Sequence, residues 1–161
     1  MTRIFLTFAT MVIASACCSS PDDLRINDLR CENLIDPLGI DTTVPHFSWK
    51  LLSGLNGTEQ KAYQILVATD SLLLTKGKAD LWNSGKVKSP VSTMVLYKGK
   101  ELHARSYAYW KVGVWDEKCS HPVWSGVSSF SVGLLSPDDL RGSYIGLPAE
   151  SGNPESPLLR K

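Results

Sequence analysis

The stretch from Tyr107 to Gly133, YAYWKVGVWDEKCSHPVWSGVSSFSVG, limits the fold more than any other part of the chain, because its two arms alternate apolar with small or polar residues. In an extended strand successive side chains point to opposite faces. Trp110, Val112 and Val114 therefore share one face, while Tyr109, Lys111, Gly113 and Trp115 take the other. Phe130 and Val132 repeat the pattern against Ser129, Ser131 and Gly133, and Asp116, Glu117, Ser120 and Pro122 between the arms supply turn chemistry. The stretch predicts a β-hairpin with one buried face, a packing element before it is a catalytic one.

The rest of the chain follows the same grammar. Leu24 to Asn33 suits an opening edge strand, and Asp36-Pro37-Leu38-Gly39 a turn. Phe47, Trp49 and Leu51 alternate with Ser48 and Lys50 as a half-buried strand, and Asn56-Gly57 marks the following bend. Ala62 to Thr69, AYQILVAT, predicts a central strand with Tyr63, Ile65 and Val67 on one face. Asp70-Ser71 is placed to cap a single helical turn that ends at Gly77. A turn at Asn83-Ser84-Gly85 leads to Val87, and Val91 to Tyr97 predicts a further strand. About seven short strands with turn signals every eight to twelve residues predict an all-β fold, an immunoglobulin-like or fibronectin type III-like β-sandwich. Tyr107 lies where a tyrosine corner would start but is out of phase with Trp110 and Val112, which leaves the corner open.

A chain of 161 residues, 43% hydrophobic and 20% charged, has room for one domain with ends to spare. Met1 to Ala16 starts with Arg3 and continues through an apolar run too short to span a bilayer well, so residues 1–16 read as an export signal. Lys plus Arg number 17 and Asp plus Glu 16, so loss of Arg3 with the signal leaves a formally neutral chain. No basic stripe offers a footing for nucleic acid. Ala14-Ser15-Ala16 satisfies ordinary signal cleavage, whereas Cys17 directly after it resembles the lipobox of bacterial lipoproteins, with Ala14 in place of the usual Leu. The two readings compete, and lipidation of Cys17 is the favoured one. It makes residues 17–24 a tether and the location exported, periplasmic or at the cell surface, anchored by lipid to the outer membrane. Beyond the signal region only Cys31 and Cys119 remain. An oxidising compartment permits a bridge between them that would close a long loop, but without CxxC spacing free or buried thiols are the default reading.

Several blocks carry a more specific likeness: DPLGID at Asp36 to Asp41, PHFSW at Pro45 to Trp49, AYQILVAT, DLWNSGKVKS at Asp80 to Ser89, YWKVGVWDE at Tyr109 to Glu117, Trp124-Ser125, and LLSPDDLRGSYIG from Leu134 to Gly146. In order and at this spacing they resemble the N-terminal β-sandwich of bacterial α-L-rhamnosidases, with Tyr144 where that family usually has Trp. The resemblance implies a sandwich over residues 25–135 and, over 136–161, a linker and the start of a truncated next domain. There the Pro- and Gly-rich segment ends in ESPLLRK. It also implies that the acid and base carboxyls of the glycosidase belong to a later helical barrel.

Nothing in the chain replaces that barrel. Asp116 and Glu117 adjoin at a strand end, and Asp22-Asp23 and Asp138-Asp139 sit in polar connectors, none of them spaced as a catalytic pair. His46, His103 and His121 are scattered without metal-ligand spacing, and no GxSxG, Walker or GxGxxG motif occurs, so no catalytic residue, metal or cofactor is expected. Trp49 and Trp110 read as core. Trp82, Tyr109, Trp115 and Trp124 remain as candidates for an exposed aromatic contact surface, which would seat a neighbouring domain or a sugar. The expected role is a non-catalytic accessory domain whose partners are the downstream domains of a rhamnosidase-like enzyme. The alternative is a stand-alone surface module binding rhamnose-containing glycans, and a third reading, an active hydrolase, predicts aryl-rhamnoside cleavage.

Overall fold

The computed structural model describes residues 24–117, 120–140 and 142. The expected signal over residues 1–16, Cys17, Cys119 and Tyr144 lie outside them, as does nearly all of the segment after Leu140. Eight strands are present among the described residues: β1 (Leu24–Cys31), β2 (His46–Ser53), β3 (Ala62–Ala68), β4 (Trp82–Asn83), β5 (Val95–Leu96), β6 (Tyr107–Trp115), β7 (Val123–Trp124) and β8 (Ser128–Ser131). One short helix, α1 (Ser71–Thr75), follows β3, and Pro137–Asp139 form a 3-10 turn. All strand pairings are antiparallel. One sheet runs β1-β2-β5; the other runs β4-β3-β6, with β7 and β8 following one another along the far side of β6.

The two sheets face each other through the residues whose alternation announced them. Phe47 and Trp49 from β2, Ile65 and Val67 from β3, Trp110, Val112 and Val114 from β6 and Phe130 from β8 are all fully buried in one cluster. Each large apolar side chain removed from water in this way contributes about 1.5–3 kcal/mol. β3 and β6 pair over seven residues, from Ala62 with Trp115 to Ala68 with Tyr109, so the strand expected to be central has β6 on one side and β4 on the other. Buried Gln60 is satisfied on both ends: its Oε1 accepts from Trp49 Nε1 at 3.0 Å, and its Nε2 donates to the carbonyls of Ser89 and Val91 at 3.1 and 2.8 Å.

Several local expectations change in extent. β1 begins at Leu24, the last residue of the expected tether, and ends at Cys31, because Glu32 and Asn33 adopt left-handed φ of 50° and 61°. Its register shifts between Asn27 and Arg30, where Asp28 has φ 51° and its carboxylate takes Arg30 Nε at 2.9 Å and Lys50 Nζ at 2.6 Å. The strand expected over Val91–Tyr97 contracts to Val95–Leu96. Met94 turns left-handed at φ 53°, and its N–H goes to the Ser48 hydroxyl at 3.0 Å instead of to a ladder carbonyl. The second hairpin arm divides into β7 and β8. α1 matches its signals: Asp70 caps it by accepting from Leu72 N at 2.9 Å, and the Gly77 N–H closes on the Leu74 carbonyl at 3.0 Å.

The turn at Asp36 to Ile40 lines the open edge of β8. Asp36 Oδ1 accepts from Ser128 Oγ at 2.6 Å and from Ser129 N at 2.7 Å, and backbone bonds join Pro37 and Ile40 to Ser131 and Gly133. A Cβ on Gly133 would stand 3.0 Å from the Gly39 carbonyl oxygen, so this close approach needs a glycine. The segment leaves less of the sheet edge free to pair with other chains. Past Gly133 the chain stays attached to the body: Ser136 and Asp139 form a capping box on the 3-10 turn, and Arg105 Nη2 donates to the Asp139 carbonyl at 2.7 Å.

Candidate functional site

The four aromatic candidates do not make one exposed surface. Tyr109, Trp115 and Trp124 share the outer face of the larger sheet, whereas Trp82 pairs with Val67 and sits on the inner face at that sheet's edge. Trp115 is a correction to the expectation, for it is only 8% exposed. Its indole N–H donates to the Ser120 carbonyl at 3.1 Å and Lys86 Nζ stands 4.3 Å from its ring centre, so returning loop and lysine together cover it.

Tyr109 is half-buried beside the second, smaller cluster that α1 makes on this face with Leu66, Ala68 and Leu74. Lys111 ties the helix down by donating from Nζ to the Leu74 carbonyl at 2.6 Å, and partial burial holds its ammonium pKa below the ordinary lysine value. The same nitrogen lies 4.7 Å from the Trp124 ring centre. Trp124 is 37% exposed and packs across Gly113, where a Cβ would come within 3.0 Å of the indole. Tyr107 stacks edge-on to Tyr109 and its hydroxyl donates to Ser129 Oγ at 3.0 Å, a side chain and not the backbone of a tyrosine corner.

Trp82 is wedged among core aromatics. Its ring centre is 6.3 Å from that of Phe47 and 5.3 Å from that of Tyr97. Tyr97, buried in turn, donates its hydroxyl to the Lys100 carbonyl at 2.7 Å, and burial pushes its phenol up to about 12, with Asp80 adding to the effect. What remains uncovered of Trp82 lines a cleft of about 400 Å³ at the open edge of the sandwich.

The polar candidates are engaged in structure. Glu117 pairs with Lys61 at 2.6 Å, and Lys61 also meets Glu59 at 2.9 Å. Asp139 Oδ2 accepts from the backbone N–H groups of Leu135 and Ser136 at 3.0 and 2.9 Å. His46 Nδ1 lies 2.9 Å from Glu32 Oε1 and His121 Nδ1 2.9 Å from Ser120 Oγ, while His103 binds Ser106 Oγ through its backbone N–H. Among the described residues no three His, Cys, Asp or Glu side chains gather in a way that would hold a metal ion. Cys31 is a free, buried thiol at the end of β1, pushed up to about 12 by burial and further by the neighbouring Glu32; Cys119, its possible partner in a bridge, lies outside the described residues.

Tyr63 was expected only as a core residue. It does face inward against Trp49, with ring centres 5.3 Å apart, but it also lines the cleft beside Trp82. Period-two alternation assigns a face to a residue and cannot tell a closed interior from an open sandwich edge.

Comparison with known proteins gives this arrangement relatives. Residues 26–136 match the family model described as the Rha78A-like, N-terminal immunoglobulin domain. An α-L-rhamnosidase of Formosa agariphila is 38% identical over 136 residues, which is 81% of this chain and 14% of the relative. An α-L-rhamnosidase of Alteromonas sp. is 37% identical over 89% of this chain and 16% of its own length. Among solved structures, the Streptomyces avermitilis α-L-rhamnosidase complexed with L-rhamnose superposes with a TM-score of 0.71 at 36% identity, over 78% of this chain and 12% of that one. The chain thus spans about one seventh of the length of the curated relatives it matches.

Proposed function

This chain belongs to the Rha78A-like N-terminal immunoglobulin domain family, and from that premise we propose that it is the non-catalytic accessory sandwich of an exported α-L-rhamnosidase-type glycoside hydrolase acting on rhamnose-containing glycans. The observation that carries the proposal is the extent of the match, which takes in nearly the whole sandwich and only 14–16% of the rhamnosidase relatives. The engagement of the carboxylates supports it. An inverting glycosidase needs two carboxyls roughly 6.5–9.5 Å apart across a sugar with room for a water. Glu59, Glu117 and Asp139 are instead held by Lys61 and by backbone N–H groups in a structural turn.

The test is turnover. The purified chain is expected to release no p-nitrophenol from p-nitrophenyl α-L-rhamnoside above a mock preparation, and reproducible release would overturn the accessory reading. Reading the coding DNA beyond Lys161 is its companion: continuation in frame into a glycosidase barrel supports the parent enzyme, and a stop followed by unrelated sequence overturns that part of the proposal.

The proposed setting is outside the cytoplasm, with the chain lipid-anchored to the outer membrane through Cys17. Radiolabelled palmitate is expected to enter the wild-type chain and not Cys17→Ala. Equal labelling of the two, or none in either, would reject the anchor.

A further inference from the structure

Five asparagines occur in the chain, and the fold restrains one of them differently from the rest. An asparagine loses its carboxamide when the backbone nitrogen of the next residue attacks Cγ, so the engagement of that N–H decides whether the reaction is open. Asp28 N donates to Oδ1 of Asn27 itself at 2.8 Å. Leu34 N, after Asn33, donates to the Cys31 carbonyl at 3.0 Å, and Ser84 N, after Asn83, donates to the Ile65 carbonyl at 3.0 Å. Asn83 is held a second time, because its Oδ1 accepts from Gln64 Nε2 and Gly85 N at 2.8 and 2.9 Å. Asn153 precedes Pro154, which has no N–H to attack with.

Asn56-Gly57, the pair at the bend after β2, escapes these restraints. Both residues are exposed, and among the described residues neither the Asn56 carboxamide nor the Gly57 N–H has a hydrogen-bond partner. The bonds of this turn lie on either side of the pair. Ser53 Oγ accepts from Leu55 N at 3.1 Å and meets Thr58 Oγ1 at 2.9 Å, and Thr58 Oγ1 lies 3.2 Å from the Leu55 carbonyl. Gly57 sits at φ 77° with nothing near the place where a Cβ would stand, so no side chain obstructs its nitrogen.

We propose that Asn56 is a modification site, deamidated spontaneously in the folded protein by attack of the Gly57 nitrogen. The bond from that nitrogen to Cγ forms as its proton passes to solvent base; the Cγ–Nδ2 bond breaks, and Nδ2 leaves as ammonia with a proton from solvent. The five-membered succinimide then takes up one water. Opening at the Cγ carbonyl gives aspartate, and opening at the main-chain carbonyl gives isoaspartate, whose backbone runs through Cβ and Cγ. Water is the co-reactant and nothing is oxidised or reduced. The product alters this end of the sandwich in charge as well as in chain path. Asn56 lines a shallow recess of about 120 Å³ together with Glu59, Asp116 and Glu117, and Lys61 already meets Glu59 and Glu117. The new carboxylate therefore enters a corner of like charge.

The purified full chain is aged in buffer at about pH 7 and about pH 9, native and in guanidinium chloride, then digested and mapped by mass spectrometry. In the native protein a gain of about 1 Da is expected in the Asn56 peptide, as two products that separate by chromatography, with the Asn27, Asn33 and Asn83 peptides unchanged. The rate is expected to be at least about tenfold higher at the higher pH, since attack needs the Gly57 nitrogen to give up its proton. Unfolding is expected to change the Asn56 rate by less than about threefold and to raise the Asn83 rate by more than about tenfold, because only Asn83 sheds a restraint. Asn56→Gln, whose closure needs a six-membered ring, is expected to lose the gain while keeping the turn. No gain at Asn56, equal rates at Asn56 and Asn83 in the native protein, or an Asn56 rate slowed by folding beyond that threefold margin would overturn the proposal.

Discussion

Phe47 of β2 and Trp110 of β6 meet across the two sheets with ring centres 4.4 Å apart, and the contact is the tightest aromatic pairing described in the molecule. Phe47 also touches Phe130, Tyr97 and Trp82, so one side chain joins the closed core to the wall of the cleft. Phe47→Ala is expected to cost about 3–5 kcal/mol, a large share of the stability of a domain this size. A urea unfolding series checks it; a loss below about 1 kcal/mol would show that the sandwich does not depend on this contact.

Asp36 gives an acid-side prediction. The Ser128 hydroxyl first, and then the Ser129 N–H, hold its carboxyl below the ordinary value of 3.8. A depressed folded pKa contributes stability that is present above the unfolded value and is lost as pH falls through the folded one. Asp36→Asn is therefore expected to be less stable than wild type near neutrality, and the gap to close as pH drops below 3.8. Melting temperatures of both proteins between about pH 2 and 6 measure it, and a gap independent of pH would refute the assignment.

At the alkaline end the sign reverses in mechanism. Cys31 and Tyr97 are both neutral in the fold, and burial raises the thiol from 9.0 and the phenol from 10.0 to about 12. Their contribution is complete below the unfolded values and is lost as pH rises toward about 12, because the unfolded chain ionises first. Unfolding free energy is expected to decline over this window, less steeply in Tyr97→Phe. Peptide mapping after iodoacetamide at pH 8 is expected to find Cys31 unmodified in the native protein and modified in urea.

Gly99 tests how firmly Trp82 is held. Its substitution by Ala meets Trp82 Cβ at 2.5 Å as well as the Tyr97 ring, so the loop or the rings must move, at about 1–3 kcal/mol. Gly54→Ala, which meets nothing within 4 Å, is the control and is expected to stay within about 0.5 kcal/mol of wild type. Equal stabilities for the two variants would deny the close packing behind the indole.

The period-two pattern placed Trp110, Val112 and Val114 inside and Tyr63, Ile65 and Val67 with them, because burial on one face of a sheet imposes alternation on the residues. Asp70 and Gly77 were legible for the same local reason: a helix end demands a cap wherever it lies. The strand expected from Val91 was not fully realised, since the Ser48 hydroxyl, forty-six positions away in sequence, diverts the Met94 N–H. Trp115 looked like a surface residue because alternation opposes it to Val114. Its cover comes from Lys86 and the chain around Ser120, contacts that no periodicity encodes.

By itself, then, the sequence determined the class of fold, the inner faces of its strands and the family, because these follow from side-chain period and from ordered local motifs. Only the tertiary structure decided which aromatics are covered, and that Tyr63 and Trp82 share a cleft. Those facts depend on where two sheet edges stop and what crosses between them. The partners that settle them are distant in sequence, and the free energy of such contacts is not written in any one segment.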